Sequence, residues 1–282
     1  MAKIMKNKQE YGCLGSRECF PAKKNDYICN MRSLRERPAR DIAVAFIFLC
    51  VTAFLVYSAI RAYRLYMESP PYVDTERYPV RGIDISRHNG RIDFNKVKDS
   101  GIDFVFIKAS EGVSHRDSLF TKNFTGARRA GLKTGAYHFF RFDKDGVEQA
   151  LNFLGAVGPR YLDMGLVIDV EGTGNPDSIS SDVVKKRLAS MVEYMNLLGH
   201  RVMIYTNFEG YYQYVEEILP GYPLWICRFK ENPINAEWTF WQYDHHGKVN
   251  GVEGEVDLNA FCGTRDDWQR FLDGELWPYT GR

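Results

Sequence analysis

Two acidic residues stand two positions apart at the end of an apolar run, Leu166-Val-Ile-Asp-Val-Glu171. On a strand, residues i and i+2 share a face with Cα atoms roughly 6.5–7 Å apart, so Asp169 and Glu171 point the same way. A third acid, Asp84, lies within Gly82-Ile-Asp-Ile-Ser86, and a fourth, Asp257, within Glu255-Val-Asp-Leu-Asn259 at the predicted end of the last strand-like run. Carboxylates on one face repel, which raises at least one pKa and lets a single site hold a protonated acid beside an ionised base at neutral pH. Glycoside hydrolysis needs that combination: a proton donor for the leaving oxygen and a negative group near an oxocarbenium-like centre. The Asp-x-Glu pair alone suits a magnesium site or a salt-bridged strand end equally well. Four acids at predicted strand ends argue for catalysis more strongly than one pair does.

Aromatic residues collect near the same strand ends: Tyr137, Phe139, Tyr205, Trp225 and Trp241, with the amides Asn207 and Gln242 among them. Flat rings stack on pyranose faces while amides and hydroxyls supply directional hydrogen bonds. For any one of these rings, core packing is the competing reading. His138 sits on an apolar strand and reads as a satisfied core residue, and His245-His246 lies on a predicted Asp-Gly turn, so neither is expected to bind metal. No cofactor is implied.

These side chains need a scaffold. From residue 80, runs rich in β-branched residues alternate five times with amphipathic stretches. The pattern predicts strands over 80–86, 104–109, 133–139, 166–170 and 201–206, and helices over 93–99, 119–130, 146–154, 182–198 and 209–217. The fourth helix is the clearest, with Ser180, Ser181 and Asp182 as capping candidates. Three further strands, 223–229, 238–243 and 254–258, follow without predicted helices. Eight strands, the first five parallel, predict an α/β fold: an irregular TIM-like (β/α)5(β)3 barrel, with a doubly wound open sheet as the alternative. In either, chemistry gathers where strands end and loops begin.

The formal charge of +1 hides an asymmetry, because residues 1–41 carry +5 and the chain from Tyr78 onward carries −4. The balance gives no reason to expect nucleic-acid binding. Between these regions, residues 42–60 contain no charge and as a helix would span about 28 Å, close to the hydrocarbon thickness of a bilayer. They start too late and run too long for a signal peptide, and no small-residue cleavage site follows. The expected organisation is a basic cytoplasmic arm (1–41), a transmembrane helix (42–60), a linker (61–79), a catalytic barrel (80–275) and a short tail (276–282). The positive-inside rule puts the N-terminus in the cytoplasm and the barrel in the periplasm or outside the cell. Cys227 and Cys262 then face an oxidising compartment, either as a disulfide or as buried thiols.

Taken in order, Gly82-Ile-Asp-Ile-Ser86, Ile107-Lys-Ala-Ser-Glu-Gly112, Gly135-Ala-Tyr-His-Phe-Phe140, Ile168-Asp-Val-Glu171, Ile204-Tyr-Thr-Asn207, Leu224-Trp-Ile226, Trp238-Thr-Phe-Trp-Gln-Tyr243 and Val256-Asp-Leu-Asn259 resemble the glycoside hydrolase family 25 lysozymes. The resemblance covers residues 80–272. It implies a barrel of about five βα units plus three strands, and cleavage of the β-1,4 bond between N-acetylmuramic acid and N-acetylglucosamine in peptidoglycan. It also implies that Glu171 is the general acid, Asp169 its partner carboxylate, and Asp84 and Asp257 two further acids of the cleft. The chain departs from the family at Cys227, where a small residue is common, and in showing no wall-binding repeat, so the membrane span is expected to localise the enzyme. The expected partners are peptidoglycan strands and the membrane itself. A non-catalytic peptidoglycan anchor, or a hydrolase of another N-acetylhexosamine glycan such as chitin, is the alternative.

Overall fold

The computed structural model describes residues 24–68, 73–229, 233 and 237–276. The chain forms two units divided after Glu68. The first is one long helix, α1 (Lys24–Glu68). Its stretch Ala39–Tyr66 is long and apolar enough to cross a membrane by length and composition. Ile42, Phe46, Phe48 and Phe54 are each more than 60% exposed; apolar side chains all round a helix call for an apolar surrounding. The helix extends beyond residues 42–60 at both ends and takes in the first part of the expected linker, 61–68. Most of the expected arm, the centre of the linker and nearly all of the tail lie outside the described residues. At the linker's far end, Asp74 Oδ1 accepts the N–H groups of Glu76 and Arg77 at 3.1 and 3.0 Å, closing a turn.

The second unit is a closed barrel. Its strands are β1 (Arg81–Ile85), β2 (Phe104–Glu111), β4 (Lys133–Phe139), β5 (Leu166–Asp169), β6 (Val202–Asn207), β7 (Leu224–Cys227), β8 (Phe240–Gly247) and β9 (Val256–Phe261), with the two-residue β3 (His115–Arg116) hairpinned onto β2. Pairing of β1 with both β2 and β9 closes the ring. Strands β1, β2 and β4 to β8 run parallel around it, whereas β9 is antiparallel to both neighbours. The connections carry α2 (Phe94–Asp99), α3 (Phe120–Arg129), α4 (Gly146–Val157), α5 (Ser181–Leu197) and the short α6 (Phe208–Gly210).

Two corrections concern helices. The segment 209–217 is not one amphipathic helix: α6 passes into a π-helical turn, Tyr211–Val215. A helix also follows β9, where none was expected: α7 (Arg265–Leu272), opened by a capping box between Thr264 and Asp267. Thr264-Arg-Asp-Asp267 is the sequence signal for it. For α5, Ser180 takes the N-cap position without a side-chain cap bond, and Asp182 places its charge in the first turn.

Alternation along the strands separates two cores. One lies between the barrel wall and the helices and includes Ile83, Ile107, Ile168, Ile204 and Ile226. The other fills the lower barrel with Phe104, Phe106, Val167, Met203, Phe240 and Phe261, and α7 closes its base with Trp268 and Phe271. Two inward glycines make room for these rings. A Cβ on Gly82 would lie 2.2 Å from the Phe104 ring, and one on Gly135 would lie 2.5 Å from Phe106.

Candidate active site

At the mouth of the barrel the same inward register presents polar groups. A cavity of about 220 Å³ is lined by Asp84, Tyr137, Asp169, Glu171, Tyr205, Trp225, Gln242 and Asp257. All four acids expected from the sequence meet here. Asp169 ends β5, and Glu171 lies just beyond it. Asp84 and Asp257 are direct cross-strand neighbours on β1 and β9. Asp257 stands at the start of its strand, not the end; it reaches the mouth because β9 runs antiparallel and begins there.

Burial and mutual charge shift all four acids. Desolvation pushes the Asp169 carboxyl well above the usual carboxylate range, and the Glu171 and Asp84 charges add to it. The same burial raises Glu171, with the Asp84 charge next. Asp257 is pushed up to about 9 by burial and by Asp84. Burial also raises Asp84, opposed by hydrogen bonds from Asn259, Gln242 and Asp257. Asp169 Oδ1 is buried without a hydrogen-bond partner, and a buried acceptor left unmatched calls for a donor from outside the protein.

Loop contacts hold Glu171 in place. Asn175 Nδ2 donates to the carbonyls of Glu171 and Phe140, both at 2.9 Å, while Asn175 Oδ1 accepts the Phe142 N–H at 2.8 Å. Lys108, a motif residue that the sequence reading did not place in the site, is the cation whose charge lowers both Asp169 and Glu171. Its ammonium contacts Glu111 Oε2 at 2.9 Å and lies 5.0 Å from the centre of the Phe139 ring. Residues i and i+3 of a regular strand point to opposite faces; a bulge between Lys108 and Ser110 turns Glu111 back toward Lys108.

The expected sugar-contacting residues divide. Tyr137, Tyr205, Trp225 and Gln242 line the cavity. Phe139 stands beneath Lys108, beside the glycine-rich loop at Gly174. Asn207 caps α6, accepting the Gly210 N–H at 2.8 Å, and lines a separate groove of about 630 Å³ with Gly172 and Glu209. Trp241 is not in the cleft. Strand alternation points it outward, where its Nε1 donates to the Arg228 carbonyl at 2.7 Å and its ring meets Tyr78, Trp238 and Tyr243. His138 also faces the outer layer, bonded to Ser110 Oγ at 2.8 Å and Gln149 Oε1 at 3.3 Å. His246 pairs with Glu255 at 2.6 Å. Among the described residues no group of three or more His, Cys, Asp or Glu is arranged to hold a metal ion. Cys227 and Cys262 are free thiols; burial pushes Cys227 up to about 12.

Residues 83–252 match the model of glycosyl hydrolases family 25. The chain is 35% identical over 206 residues to the Escherichia coli protein YegX, covering 70% of this chain and 75% of that one. It is 37% identical over 187 residues to the autolytic lysozyme of Clostridium acetobutylicum, covering 64% of this chain and 56% of the relative. The structure superimposes on a family 25 glycosyl hydrolase from Bacillus anthracis with a TM-score of 0.66 at 32% identity, over 73% of this chain and 97% of the other. An eight-stranded barrel with acids gathered at its mouth, matched across most of its length, belongs to glycosyl hydrolases family 25, and this chain is a lysozyme-like glycoside hydrolase.

Proposed function

We propose that the chain is an N-acetylmuramidase that cleaves the β-1,4 bond between N-acetylmuramic acid and N-acetylglucosamine in peptidoglycan. Glu171 acts as general acid and Asp169 as its partner. The observation that carries this reading is the bare, buried Asp169 Oδ1 in the same cavity as a Glu171 whose carboxyl is raised by burial. Both sugars carry a 2-acetamido N–H, the donor that this oxygen lacks.

The chemistry follows from that pairing. Glu171 gives its proton to the glycosidic oxygen as the C1–O bond breaks, and the bonding electron pair leaves on that oxygen. The acetamido oxygen attacks C1 to form an oxazolinium ion, while Asp169 accepts the N–H and stabilises the positive charge. This substrate assistance differs from the two-carboxylate scheme. Glu171, now a carboxylate, takes a proton from the water that adds at C1, the ring opens, and the acid is restored.

Residues 42–60 anchor the enzyme in the membrane in this reading. The +5 charge of residues 1–41 supports a cytoplasmic N-terminus and a barrel on the opposite side. The test is digestion of purified peptidoglycan by the full chain in detergent micelles, beside Glu171→Gln, with mass spectrometry of borohydride-reduced products. Muramitol ends from the wild type, falling at least about 100-fold in the variant, are expected. Binding of sacculi by both proteins without release of fragments would replace this reading with an adhesive one, and equal cleavage of chitin would broaden the substrate.

A further inference from the structure

Two buried amides converge on one oxygen of Asp84. Gln242 Nε2 and Asn259 Nδ2 each lie 2.9 Å from Asp84 Oδ2. Chemistry fixes the orientation of Asn259, because Trp225 Nε1, which can only donate, lies 2.8 Å from its Oδ1. The other end of that amide is therefore NH2, and it faces Asp84. Tyr205 donates its hydroxyl hydrogen to Gln242 Oε1 at 2.7 Å, holding the second amide in the same sense. Asn259 is fully buried. An oxygen that accepts two N–H bonds is held as an acceptor, so a proton shared with Asp257 is kept away from it.

We propose that Asn259, together with Gln242, is a positioning residue that keeps Asp84 ionised, and that the charge fixed on Asp84 holds the proton on Glu171. This inference rests on the reading of Glu171 as proton donor. It gives three of the four acids an internal order: Asp84 carries the charge, and Asp257 and Glu171 carry protons. The direction of the Asp84 effect on Glu171 agrees, since that charge favours the protonated carboxyl.

Other titratable groups surround this pair. Lys108 and Glu111 come from β2, Tyr137 from β4, Asp169 from β5, and Tyr205 from β6. Cys227 comes from β7, Asp244 from β8, Asp257 from β9, and Asp117 from the loop after β3. Lys108 opposes Asp84 in its effect on Glu171. Its ammonium is already engaged by Glu111, and neither Asn259→Ala nor Gln242→Met alters that contact.

The test uses the full chain in detergent micelles with 13C-carboxyl glutamate. The Glu171 resonance is assigned by its loss in Glu171→Gln, and its titration midpoint is followed beside the pH profile of kcat/KM. Removing a donor raises Asp84, weakens its charge, and lets Glu171 lose its proton earlier. In Asn259→Ala and in Gln242→Met, the midpoint and the alkaline limb are expected to move down together by roughly half a pH unit or more. A folded variant that loses activity with the Glu171 midpoint unmoved would overturn the inference and leave only a structural role. Should Asn259→Ala fail to fold, Gln242→Met carries the same test. A midpoint that shifts in a protein that cleaves no peptidoglycan would retain the charge coupling and reject the muramidase reading.

Discussion

At the base of the barrel, Val167, Met203, Phe240 and Phe261 point inward and pack without polar atoms. Two residues nearer the mouth on the same four strands, the inward positions are Asp169, Tyr205, Gln242 and Asn259. Alternation decides that a side chain enters the barrel, and its level along the strand decides what it does there. The lower half excludes water around packed rings such as Phe104 and Phe240, whose centroids are 5.1 Å apart. The upper half keeps buried carboxylates protonated or unpaired, an arrangement that costs stability and supplies chemistry. One continuous sheet joins them, so the dry half is the rigid mount for the reactive half.

Mutations in the two halves are expected to separate stability from activity. Phe240 is fully buried and meets Phe104, Phe106, Phe261 and Phe271 at ring distances of 5.0 to 5.7 Å. Phe240→Ala is expected to destabilise the barrel by about 3–5 kcal/mol, read by denaturant unfolding in micelles. Asp169→Asn changes a group with one unmatched oxygen. It should lower kcat by about 100-fold while the unfolding midpoint does not fall. A comparable loss of stability in Asp169→Asn would show that the two halves are not specialised in this way.

The sequence exposes the strands and the four acids because both follow simple periods. Asp169 and Glu171 at i and i+2 are legible on any strand, and the apolar alternation that flanks Asp84 is equally plain. Directions and faces are less legible. That β9 runs antiparallel follows from how the ring closes, which no local pattern records, so Asp257 stands at the start of its strand, where the sequence predicts its end, and reaches the mouth all the same. Trp241 and Trp225 look alike in sequence, and only the register of β8 against β7 puts one outside and the other inside. Lys108 lies in a motif that does not by itself tie it to the cluster, because the bulge that joins it to Glu111 has no sequence signal of its own. The helix α7, by contrast, is legible in its capping box, Thr264-Arg-Asp-Asp267.

Proton linkage offers a finer contrast between the halves. Asp257 rises from an ordinary value of 3.8 to about 9 in the folded chain. Between those values the folded state holds a proton that the unfolded state releases, so this group's contribution to stability is complete below about pH 4 and is lost as pH rises toward 9. Asp257→Asn replaces the neutral acid with a neutral amide and removes that dependence. The fall in Tm from pH 5 to pH 9 is expected to be smaller in Asp257→Asn than in the wild type, by about 3 °C or more. An equal fall in both proteins would locate the linkage in other groups.

The smallest effect comes from the two tryptophans that the sequence does not distinguish. Trp241→Phe removes one hydrogen bond, to the Arg228 carbonyl, from the outer layer, and should cost about 1–2 kcal/mol with kcat and KM within about twofold of wild type. Trp225→Phe removes a donor inside the barrel, freeing Asn259 Oδ1 and leaving its amide able to turn away from Asp84. A similar loss of stability is expected there, but it should come with a displaced alkaline limb in the pH profile. Matching pH profiles for the two variants would mean that the indole N–H inside the barrel does nothing more than the one outside. A displaced limb in Trp225→Phe alone would tie the difference to the face of the strand on which each ring sits.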